Sequence, residues 1–152
     1  MDTHQQNNSN AGDHPSFEND KDDLAYQFNA ADLTSPDADR RRCAIIAVSK
    51  LRLLDYEDRL ISMVETELNN DNKRHLVRAL GHIGGTKSIS FLSSLMGRSS
   101  GLILGDLATA LSDLAAPNIR ELVEPLTFSE IPFITERSRC ALRKLLRSKD
   151  QS

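Results

Sequence analysis

The sequence predicts an all-α fold: a short right-handed α-solenoid of antiparallel helical hairpins behind a mostly disordered N-terminal tail. Three observations carry that expectation. Beyond residue 35, apolar residues recur at helical spacing, helix starts and stops punctuate these runs regularly, and the runs resemble one another at a period of about 31 residues. No segment alternates apolar and polar residues with the β-branched content of a strand.

Taken in chain order, residues 1–34 form an acidic tail and residues 35–150 the repeat domain. Up to Asp23 the chain is mostly Asn, Gln, Asp, His and Gly, too polar to offset the entropy of ordering, so this stretch is expected to be disordered. Leu24, Tyr26, Phe28 and Leu33 then supply enough apolar surface for a short helix over 24–33, packed as a cap on the first repeat.

Ser35-Pro36-Asp37 offers an N-cap, a first-turn proline and a first-turn acid ahead of Cys43, Ala44, Ala47, Val48 and Leu51. Asp55 is placed to cap a second helix whose apolar face is Leu60, Ile61, Val64 and Leu68. Asn70 or Asp71 caps a third with Leu76, Val77, Leu80 and Ile83, and Gly84-Gly85 stops it. Thr86 caps a fourth helix with Ile89, Leu92, Leu95 and Met96 inward. The fifth spans Leu102 to Ala115, and Pro117 opens a sixth with Ile119, Leu122, Val123 and Leu126. The last helix begins near Ser129, tolerates Pro132 in its first turn, and presents Cys140, Ala141, Leu142, Leu145 and Leu146.

The repeat fixes a register. Ala47-Val48, Ala79-Leu80, Ala110-Leu111 and Ala141-Leu142 follow one another at spacings of 32, 31 and 31 residues, with Leu51, Ile83, Leu114 and Leu145 in step. An alanine at such a position lets two helix backbones approach, and the following aliphatic fills the groove between them. The segments DADRRRCAIIAVSKL, DNKRHLVRALGHIGG and LILGDLATALSDLAAP resemble HEAT-like repeats of the short bacterial type, also found in phycobilin lyase subunits, over about residues 35–148. The resemblance implies about 3.5 repeats and an Asp-to-Arg ladder, matched here by Asp39 with Arg42 and Asp71 with Arg74. Gly105 and Glu136 stand where the later arginines belong, so the ladder is expected to stop halfway.

Chemistry-bearing motifs are sparse. Gly81 to Ser88 imitates a phosphate-binding loop, but Thr86 takes the final glycine position and the segment follows a helix, so it reads as a C-cap and the next N-cap. Cys43 and Cys140 are far apart and inside apolar patterns, which predicts reduced core thiols without a disulfide or zinc site. The acid pairs Asp55 with Asp58 and Glu65 with Glu67 are assigned to capping and solvation. Ser93, Ser94, Ser99 and Ser100 lack the setting of a catalytic nucleophile, and no cofactor is expected.

Charge is uneven. Residues 1–39 hold nine acids and one lysine, a balance of −8, while residues 40–152 hold 18 bases and 13 acids, a balance of +5. The last helix concentrates a basic patch, Arg137, Arg139, Arg143, Lys144 and Arg147, in which Arg139, Arg143 and Arg147 follow one stripe at four-residue spacing.

These features predict a non-catalytic scaffold that binds another protein through the outward positions of its second helices: Arg59, Ser62, Thr66, Lys87, Ser90, Ser94, Arg120 and Glu124. A nucleic-acid binder using the basic last helix is the alternative, and resemblance alone adds a phycobilin-lyase or chaperone-like subunit. No run approaches the roughly 18 apolar residues of a membrane span, so a cytoplasmic protein without a membrane partner is expected. Exposed stack ends make a homodimer a further expectation.

Overall fold

The computed structural model describes residues 28–151, which form helices, 3-10 turns and loops with no strand among them. The tail up to residue 27, including the disorder expected there and the start of the 24–33 cap, lies outside the described residues. Within them the cap is a 3-10 turn, Ala30–Thr34, opened by the Asn29 side chain, which accepts from the Ala31 N–H. Its Leu33 is buried against the core.

Seven α-helices follow: α1 (Ala38–Lys50), α2 (Glu57–Thr66), α3 (Asn70–Ile83), α4 (Thr86–Met96), α5 (Ile103–Asp113), α6 (Ile119–Val123) and α7 (Pro132–Asp150). Helices α1, α3, α5 and α7 make one row, each packed on the next, and these three contacts are the most extensive among the described elements. A second row is formed by α2, α4 and α6, with the 3-10 turn Glu124–Phe128 continuing α6. Each second-row helix packs more on the first-row helix that follows it than on the one before: α2 on α3, α4 on α5, α6 with its turn on α7.

The register alanines lie at the heart of this row. Ala47, Ala79, Ala110 and Ala141 are all buried, and Val48, Leu80 and Leu111 beside them have no solvent exposure. Between α3 and α5 the approach is so close that a Cβ on Gly81 would fall 2.8 Å from both Cα and Cβ of Ala110. A larger residue at either position would separate the helices.

Helix ends depart from the sequence expectation where tertiary partners compete. Asp37, two residues later than expected, caps α1 by accepting from Asp39 N–H, while Ser35 Oγ accepts from Asp37 N–H. Asn69 rather than Asn70 or Asp71 caps α3, accepting from Asn72 N–H. No side chain of its own caps α2, which begins after a 3-10 turn at Leu54–Tyr56 that absorbs Asp55. Helix α2 ends at Thr66, so Leu68, expected on its apolar face, stands outside it at 94% exposure. The sixth helix is cut short because Pro125, lacking an N–H, turns the chain into 3-10 geometry.

Both cysteines are free and exposed, which corrects the expectation of core thiols. Each precedes a buried alanine, Ala44 or Ala141, and successive helical residues point about 100° apart. Only one of the two can face the core. On α7 the buried stripe is Ile134, Ser138 and Ala141, flanked by half-buried Leu142 and Leu145, so Leu146 also faces water.

Candidate binding surfaces

Along the second row, Arg59, Ser62 and Thr66 on α2, Lys87, Ser90 and Ser94 on α4, Arg120 on α6 and Glu124 just after it are all exposed. The hydrogen-bonded end of this face is a carboxylate clamp. Glu57, at the start of α2, accepts through Oε1 from Gly85 N–H (2.8 Å), Ser88 N–H (3.1 Å) and the Ser88 hydroxyl (2.7 Å), so it caps α4 in place of the expected Thr86. Burial alone would raise this carboxyl, but the three hydrogen bonds outweigh it and hold Glu57 below the usual carboxylate range. Lys87 pairs with Asp58 at 3.0 Å and Arg98 with Glu65 at 2.5 Å, tying α4 and its end to α2. The hydrogen bond from Arg98 lowers the Glu65 carboxyl.

Across the first row runs a second set of polar ties, at the N-terminal halves of the helices. Arg41 grips Glu67 through Nε (2.9 Å) and Nη2 (2.8 Å) while donating Nη1 to the Ser35 carbonyl. Glu67, assigned from sequence to solvation, is instead buried, and the Arg41 hydrogen bonds depress its carboxyl against the effect of burial. Buried Asn72 receives Arg42 Nε at 3.1 Å and donates to the Ala38 carbonyl. Buried Asp106 takes Arg74 on one oxygen (2.5 Å) and Arg78 on the other (2.9 Å). Of the expected ladder, Arg42 meets Asp39 at 3.5 Å, but Arg74 turns across the row to Asp106 rather than to Asp71. A carboxylate on the next helix, almost fully desolvated, attracts a guanidinium more strongly than an exposed one on the same helix.

Phe133 lies over Gly105, where an added Cβ would collide with its ring, and Arg74 and Arg137 both stack on it at 5.1 and 5.2 Å. His75 sits among these cations. Burial first, then the charges of Arg78 and Arg42, push its pKa below the ordinary histidine value.

The basic patch of α7 divides in use. Arg137 stacks on Phe133 and Lys144 pairs with Asp113 at 2.9 Å, whereas Arg139, Arg143 and Arg147 lie exposed, with Arg143 donating to Cys140 Sγ at 3.0 Å. A groove of about 530 Å³ lined by Arg52, His82, Asp113 and Lys144 lies at the C-terminal ends of the first row. At its rim Ser49 Oγ is 2.7 Å from His82 Nδ1, joining α1 to α3. Among the described residues, no group of three His, Cys, Asp or Glu side chains is placed to hold a metal ion, and no helix is long and apolar enough to cross a membrane.

Sequence reasoning missed Glu57, Glu67, Asn72 and Asp106. Their partners lie 26 to 34 residues away, so helical phase along one element carries no trace of them. Compared with known proteins, the chain matches no family model, no curated protein and no solved structure.

Proposed function

We propose that the chain is a non-catalytic protein-interaction scaffold, a short right-handed α-solenoid of about 3.5 HEAT-like hairpins that acts in the cytoplasm and offers its second-row helices to a protein partner. The observation that carries this reading is the continuous row of four helices built on one small-residue register, with all eight phase-selected positions of the second row exposed. Ion pairs and the Glu57 clamp hold α2 and α4 in fixed relation beneath that surface, so a partner meets a preorganised face. Capture of partners from the native host, using wild type and an Arg59→Ala, Ser90→Ala, Arg120→Ala triple variant, tests it. Loss of the captured protein is expected; unchanged recovery would argue against this face.

One observation favours a second reading, nucleic-acid binding: Arg139, Arg143 and Arg147 form an exposed stripe on α7. That reading requires binding that weakens steeply with salt, and no binding at low salt ends it.

A further inference from the structure

We propose that the outer flank of α7 is a docking surface for an acidic, aromatic-bearing segment, and that its occupant is the chain's own residues 13–20. This holds whether or not the second row binds a partner. Helix α7 packs on α5, α6 and the turn Glu124–Phe128, and its remaining side turns Arg139, Cys140, Arg143 and Arg147 to solvent. Apolar groups flank that stripe at both ends: Phe128 is 86% exposed, Ile131 39% and Leu146 53%. Beside the stripe lies a groove of about 540 Å³, lined by Pro132, Thr135, Arg139 and Arg143 and also by Glu130 and Glu136. An exposed stripe of three arginines with apolar groups at its ends fits a segment with the opposite charge and its own apolar side chain.

Residues 13–20 have that composition, with Asp13, Glu18 and Asp20, no Lys or Arg, and Phe17 among them. They lie outside the described residues, and the chain joins the fold at Phe28, whose ring meets Tyr56 at the α1 end. Three helix spacings of roughly 8–10 Å separate α1 from α7, about 24–30 Å in all. Glu18 lies ten residues before Phe28 and Asp13 fifteen. At roughly 3.3–3.6 Å per extended residue, those lengths reach at least ~33 Å and ~50 Å. Both acids and Phe17 can therefore reach the far flank within one chain.

Cys140, exposed beside Arg143, reports occupancy directly, and exposed Cys43 on α1 serves as reference. Alkylation of each thiol in the full chain would be followed by mass spectrometry, comparing wild type with a variant carrying Asp13→Asn, Glu18→Gln and Asp20→Asn. Helical content by circular dichroism checks that the variant folds. The expected result is Cys140 labelling at least about threefold slower in wild type relative to Cys43, with the gap closing between about 20 and about 500 mM salt. The gap should persist unchanged on about tenfold dilution, as an intramolecular contact requires. Equal Cys140 rates in both proteins at low salt would overturn the proposal, and so would a gap that vanishes on dilution, which would assign the flank to a second copy.

Discussion

At the α1 end of the first row, Leu33 from outside the repeat is buried against the core and Phe28 meets Tyr56 edge to face at 5.6 Å, whereas at the α7 end Arg139, Arg143 and Arg147 face water beside exposed Leu146 and Phe128. A row of packed helices presents two end flanks, and each must be finished separately. Here one end is closed by apolar burial, so its cap is part of the cooperative fold. The other is finished by charge, which keeps the flank soluble while contributing little to stability. Stability and accessible chemistry are thus placed at opposite ends.

That contrast is easiest to break at its apolar end. Leu33→Ala removes a side chain with 1% exposure and is expected to cost about 2–4 kcal/mol in chemical denaturation. A loss below about 1 kcal/mol would mean that the 3-10 turn merely rests on the row. Next in size is Glu67→Gln, which leaves Arg41 without its carboxylate partner and should cost roughly 1–3 kcal/mol at neutral pH. The folded-state pKa of Glu67 is depressed, so its stabilising contribution is fully present above the unfolded value of about 4.3 and is lost as pH falls through the folded value. The difference between wild type and Glu67→Gln, measured by urea titration at several pH values, should therefore narrow in acid. A constant difference would contradict the paired carboxylate.

A smaller effect of opposite sign is expected at Ala115. Helices α1 and α5 end in the same motif, with Leu53 N–H reaching the Val48 carbonyl and Ala116 N–H the Leu111 carbonyl, which forces Arg52 and Ala115 to φ of 51° and 52°. Glycine adopts that conformation without the Cβ penalty, so Ala115→Gly should raise stability by roughly 1 kcal/mol in thermal unfolding. At the charged end, Phe128→Ser should change stability by less than about 0.5 kcal/mol, since 86% of the side chain is already in water. A large loss there would erase the distinction between the ends.

Much of the fold was legible in the sequence because each helix has one buried stripe and the stripes repeat. Ala47, Ala79, Ala110 and Ala141 are buried as the register required, and Gly84 ends α3 where the glycine pair predicted. What could not be read was anything decided between elements. Glu57 caps a helix that begins 29 residues later, which displaced Thr86 from the capping role. Cys43 and Cys140 were misplaced because an apolar series wider than the buried stripe does not say which of two adjacent residues turns inward. The exposed positions of the second row followed directly from helical phase, whereas the Arg74–Asp106–Arg78 bridge needed the row itself.

First-row helices meet at the four alanines, and enlarging each in turn tests that packing most directly. Equilibrium denaturation of Ala47→Leu, Ala79→Leu, Ala110→Leu and Ala141→Leu should show all four destabilised by about 1–3 kcal/mol. The losses should be largest at Ala79 and Ala110, whose helices are packed on both sides. Wild-type stability in Ala79→Leu or Ala110→Leu would contradict the shared register.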